Sequence, residues 1–114
     1  MSTNFYAFGP FPGGDPNGEG LHIGQAAGGV RFLFRSHPDL GLTTYAAWSE
    51  FIRRPGVAVR AESGYDLSPE QMDNVMTEAR DNRGWPLRPR EAAIKGQVGY
   101  HRDGPHAFLN ADFC

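Results

Sequence analysis

Leu21-His22-Ile23-Gly24-Gln25-Ala26-Ala27-Gly28-Gly29-Val30-Arg31-Phe32-Leu33-Phe34-Arg35 carries the pattern that decides the fold. Leu21 and Ile23 alternate with His22 and Gly24. After a turn of small residues, Val30, Phe32 and Phe34 alternate with Arg31, Leu33 and Arg35. Alternation with a period of two marks half-buried strands, and the glycines between them mark a turn, so the stretch predicts an antiparallel hairpin.

Working outward, Asn4-Phe5-Tyr6-Ala7-Phe8 predicts a strand before the hairpin. Gly9 to Gly20 is dense in glycine, proline and Asn-Gly, which predicts a long loop. No Gly-Lys-Ser/Thr follows it, and a strand rather than a helix comes next, so phosphate binding is not expected there. After the hairpin, Thr43 or Thr44 can cap a helix reaching about Arg54, where Pro55-Gly56 stops it. Tyr45, Trp48, Phe51 and Ile52 form its apolar stripe, which assigns Trp48 to the core. Val57, Val59 and Ala61 predict the inward positions of a strand over 57–62.

Ser68-Pro69-Glu70-Gln71 opens a second helix as a capping box with proline in the first turn. Met72, Val75, Met76 and Ala79 form its stripe, and Gly84 predicts its C-terminal cap after Arg83. Trp85 to Arg90 reads as irregular, with a helical turn expected over Glu91 to Lys95. Gly96 to Leu109 predicts a hairpin turning at Asp103-Gly104, on an edge or in a wider loop because Pro105 donates no amide. The sum is a single α+β domain over residues 1–114. It has an antiparallel sheet of about four to six strands and two helices packed mainly on one face. Trp48, Phe51, Ile52, Met72, Val75, Met76, Phe32, Phe34, Val57 and Val59 are the expected core.

Composition narrows the function. A hydrophobic fraction of 39% and an aromatic fraction of 12% belong to a folded chain. The formal net charge of −2 gives no general attraction to nucleic acid or to an anionic membrane. Cys114 is the single cysteine, so neither an intramolecular disulfide nor a cysteine-based metal site is expected. Without a basic, apolar leader or an apolar run of about 20 residues, a cytoplasmic protein with no membrane contact is expected.

Three sets of residues carry candidate chemistry. His101 and His106 would face each other across the last hairpin with Cβ atoms about 5 Å apart, near enough for a metal or pH-sensitive pair. Asp112 or His22 would complete such a site, and His22 oriented by Asp112 would be a general base. No nucleophile stands in a telling context, and no metal or cofactor is expected. Arg80, Arg83, Arg88 and Arg90 surround Trp85, an arrangement that can hold phosphate and stack a base, or serve as a protein contact.

Several short motifs together resemble a family of small uncharacterised phage and prophage proteins. They are Met1-Ser2-Thr3-Asn4-Phe5-Tyr6, Leu21-His22-Ile23-Gly24-Gln25 with Gly29, Trp48, and Asp112-Phe113-Cys114. The family's motifs are an N-terminal Thr-Asn-x-Tyr-like strand, a Leu-His-Ile-Gly-Lys-like hairpin and a helix bearing tryptophan. Many members carry paired cysteines before the histidine, which looks like half a zinc site. Here Gly9 to Gly20 stands in that place, Gln25 replaces the lysine and Val30 a tryptophan. The resemblance implies a phage context, in a host bacterial cell, and no mechanism. The expectation is an accessory protein, more a binder than an enzyme. Its partner would be a host factor or a second copy of itself. Nucleic acid held by the Arg/Trp segment, or a histidine-based enzyme or metal protein, are the alternatives.

Overall fold

A computed structural model describes residues 2–9, 20–89 and 99–111. The helical turn expected over Glu91 to Lys95, most of the glycine-proline loop, Arg90 and Asp112 lie outside the described residues.

Among the described residues seven strands form one sheet in the order β5-β4-β1-β2-β3-β7-β6. They are β1 (Ser2–Phe8), β2 (Leu21–Ala27), β3 (Leu33–Arg35), β4 (Ala58–Ala61), β5 (Asp66–Leu67), β6 (Tyr100–Asp103) and β7 (His106–Leu109). The helices are α1 (Tyr45–Phe51) and α2 (Pro69–Thr77). The class is α+β, with more strands than the four to six expected. The extra ones are short: β5 has two residues, and β3 has three. Every neighbouring pair is antiparallel except β3 with β7, where Leu33, Phe34 and Arg35 run parallel to Ala107, Phe108 and Leu109.

The deciding hairpin forms with one irregularity. β1 pairs Phe5 with Gly24 and then Tyr6 with His22, leaving Ile23 as the extra residue of a bulge. The bulge breaks the alternation read from the sequence. Gly24 lies opposite Phe5 and Phe34 on the core side, instead of sharing a face with His22. A Cβ at Gly24 would stand 2.2 Å from the Leu33 carbonyl oxygen and 2.4 Å from the Phe32 ring, so the position requires glycine.

The main core lies between the sheet and the two helices. Phe5, Ile23, Phe34 and Phe108 meet Trp48, Phe51, Met72 and Met76 there, with Val57 and Val75 packed at its margin. Leu33, Ala107 and Leu109 alternate to the other face and form a second, smaller cluster with Tyr100. Both helices start as the sequence predicts. The Thr44 hydroxyl accepts from Ala47 N at 3.1 Å, and Ser68 and Gln71 make a reciprocal capping box.

Several boundaries differ. α1 ends at Phe51, short of Arg54, and the second strand of the deciding hairpin covers only Leu33–Arg35. α2 ends at Thr77 and not at Arg83. The backbone leaves the helix at Glu78 (ψ 126°) and the Ala79 carbonyl accepts from Leu87 N at 2.8 Å, while beyond it the Asp81 carboxylate accepts from the amides of Arg83 and Trp85 at 2.9 Å each and holds residues 81–85 in a separate turn. Gly84, at φ +85°, belongs to that turn and caps no helix. The last hairpin turns one residue later than expected. Asp103 pairs with His106, and Gly104-Pro105 fill the loop, where a missing amide costs nothing.

Candidate functional site

The shift of the last hairpin undoes the predicted histidine pair. His101 lies opposite Phe108, and His106 opposite Asp103. All four side chains point to the helix face, and they hold α1 in place. His101 stacks on Phe108 at 4.9 Å between ring centroids, and its Nε2–H donates to the Thr43 carbonyl at 2.9 Å. The Asp103 carboxylate accepts from Tyr45 N at 2.8 Å. His106 stacks on Tyr45 at 4.9 Å and meets Phe34 edge-on at 5.3 Å. Burial, and then the charge of Arg31, push the His106 pKa down, while Asp103 pulls the other way. The Tyr45 hydroxyl donates to Asp73 on α2, and that hydrogen bond, followed by burial, raises the tyrosine pKa.

His22 belongs elsewhere. It pairs with Tyr6 on the face opposite the helices and stacks on that ring at 5.2 Å. Asn4 Nδ2 donates to Glu62, which leaves Asn4 Oδ1 to accept from His22 Nε2 at 2.9 Å. That nitrogen therefore carries the proton and cannot serve as a base. His37 donates from Nε2 to the His22 carbonyl at 2.8 Å. The candidate set His22, His101 and His106 does not converge, since β3 and the two faces of the sheet separate its members. Among the described residues no three His, Cys, Asp or Glu side chains group as a metal site. An open groove of about 500 Å³ runs past Ser36, Thr43, Tyr100 and His101. The hydroxyls of Ser36 and Tyr100 are buried with no hydrogen-bond partner among the described residues, so neither is presented to the groove as a nucleophile.

The arginine–tryptophan segment does come together. Asp81 organises it: Asp81 N donates to the Trp85 carbonyl, Gly84 N to the Asp81 carbonyl, and the Asp81 carboxylate collects the two amides already described. The Trp85 amide above all, with Arg83 adding to it, holds the Asp81 carboxyl below the usual carboxylate range. Trp85 stands at the surface, 62% exposed, with the Arg83 guanidinium 4.4 Å from its ring centroid. Arg80 reaches back to the Gly84 carbonyl at 2.9 Å. Backbone bonds from Arg88 N to Gly29 and from Arg31 N to Arg88 fasten the segment to the β2–β3 turn.

Beside this turn is a pocket of about 230 Å³. Ala27, Val30, Val75 and Leu87 line it, and Glu78 and Asp81 stand at its edge. The sequence reading missed it because three separate segments build it: the β2–β3 turn, the end of α2 and the strand-like run after Trp85. The run of small residues Ala26 to Gly29 was its only local signal.

Compared with known proteins, the chain matches no family model, no curated protein and no solved structure. No helix among the described residues is long and apolar enough to cross a membrane.

Proposed function

We propose that this chain is a binding module without catalytic activity, and that it engages another protein through the Trp85 turn and the adjoining pocket. The phage context implied by the sequence motifs makes a host factor or a second copy the natural partner. The observation that carries the reading is the exposure of Trp85 on a turn that side-chain and backbone hydrogen bonds hold in one shape. Large aromatic side chains dominate binding energy at protein interfaces, and ordering them beforehand lowers the entropic cost of association. The histidines, in contrast, are engaged in holding strands and α1 together.

Nucleic acid at the same segment is the weaker alternative. Arg83 pairs with Asp81 at 3.5 Å, Arg80 is turned to a carbonyl, and Glu78 and Asp81 add negative charge to the adjoining pocket. A phosphate backbone calls for the opposite balance. The test is an affinity pulldown from bacterial lysate, with and without nuclease, using the wild type and Trp85→Ala. A discrete protein captured in both nuclease arms and lost with Trp85→Ala is the expected result. Capture that vanishes with nuclease, or that ignores Trp85→Ala, overturns the reading.

A further inference from the structure

The geometry points to a second copy of this chain as an occupant of the pocket, each protomer placing Trp85 into the pocket of the other. This rests on the binding role assigned above to the same surface and names its partner. Three observations support it.

The first is size. A cavity of about 230 Å³ falls below the ~300–1,000 Å³ of pockets that hold drug-sized ligands, while a cavity of ~150 Å³ suffices for benzene. One bicyclic aromatic side chain fits this interval. The second is charge. The projecting turn carries Arg83 over its indole, and the receiving pocket carries the Glu78 carboxylate. An indole entering with Arg83 stacked on it therefore brings a cation to an acidic edge.

The third is placement. The projecting ring and the pocket share Asp81, which accepts from Trp85 N and also lines the cavity. Leu87, two residues beyond the tryptophan, lines it too. A protrusion and a recess side by side on one surface are self-complementary under a two-fold axis, and one rotation satisfies both contacts.

Gly28 supplies a clean obstruction. Gly28 lines the pocket, a Cβ there would meet nothing within 4 Å, and its φ is not positive, so a side chain can be added beside the pocket without strain. Gly28→Lys adds bulk and a charge that repels Arg83.

The experiment is sedimentation equilibrium of the full chain over a wide concentration range, paired with tryptophan emission. The wild type should form a dimer, and its emission should shift to the blue on association. Trp48 is already buried, so Trp85 supplies that change. Trp85→Ala and Gly28→Lys should each weaken the dimer at least ~30-fold, the ratio expected for a hot-spot side chain. Mixing the two variants should restore a heterodimer, because one intact tryptophan then faces one intact pocket. A wild type monomeric throughout, a Trp85→Ala dimer as tight as the wild type, or a mixture that stays monomeric overturns the self-pairing. The pulldown separates this from the wider reading: a monomeric wild type that still captures a protein through Trp85 refutes the dimer and leaves the binding surface standing.

Discussion

The two tryptophans have opposite fates in one small domain. Trp48 is wholly buried, its Nε1 donates to the Arg35 carbonyl at 3.0 Å, and Phe51 and His37 meet its ring edge-on. Trp85 is mostly exposed, and its contacts are an arginine above the ring and a turn beneath it. Trp48 joins α1 to the sheet by contacts on all sides. Trp85 is held by its backbone, so its ring is left available. That availability is what the proposed binding role draws on.

Four substitutions and conditions sharpen that contrast. Trp48→Ala should cost ~3–5 kcal/mol in urea unfolding, the usual cost of emptying a large core site. A loss below about 1 kcal/mol would remove Trp48 from the core. Gly24→Ala should cost about 1–3 kcal/mol, because the new Cβ meets the Leu33 backbone and cannot be accommodated by a rotamer change. Unchanged stability would refute the bulge that turns Gly24 inward.

A pH effect comes next. The His106 pKa is below its ordinary 6.5 when folded, so the unfolded chain takes up the proton first as the pH drops. Its contribution to stability is fully present above about pH 6.5 and is lost as the pH falls toward the folded value. His106→Gln should flatten the stability profile in that window, and a profile unchanged by the substitution would show that burial of His106 is not its source. Trp85→Ala should have the smallest effect, within about 0.5 kcal/mol of the wild type at concentrations where both are monomeric, as for other exposed positions. A cooperative loss of several kcal/mol there would make Trp85 structural and erase the contrast.

What could be read from the chain depended on how local its cause was. The Ser68–Gln71 capping box, the Thr44 cap and the burial of Trp48 follow from neighbours a few residues away, and each was legible. The end of α2 was misread because Gly84 resembles a helix cap, while the backbone had already left the helix at Glu78 to pair Ala79 with Leu87, a partner eight residues on. The inward turn of Gly24 needs the bulge at Ile23, which arises from pairing with β1 and leaves no mark in the alternation. The histidines were read as a metal or pH-sensitive pair and a general base, and the partners that hold them instead were not legible. Thr43, Tyr45 and Asn4 lie far from them in sequence and reach them only through the fold. The segment around Trp85 was recognised by residue type, whereas its pocket, assembled from three segments, was not.

The parallel pairing of β3 with β7 has a consequence for the order of folding. β1, β2, β4 and both helices come from residues 2–77 and can associate through largely antiparallel, shorter-range contacts. The β6–β7 hairpin forms locally, but its backbone joins the sheet through residues 33–35 pairing with residues 107–109. Long-range pairing bears the loop-closure cost before it is rewarded, so this hairpin should dock last and open first. Amide exchange should then be faster in residues 100–109 than in β1 and β2, and equal protection would mean that the sheet closes in a single step. Until docking, Phe34 lacks the Phe108 ring that stacks on it at 4.6 Å. The nascent domain thus presents an unfinished aromatic surface while the later residues are still being made, and its own C-terminal hairpin acts as the internal chaperone that covers it.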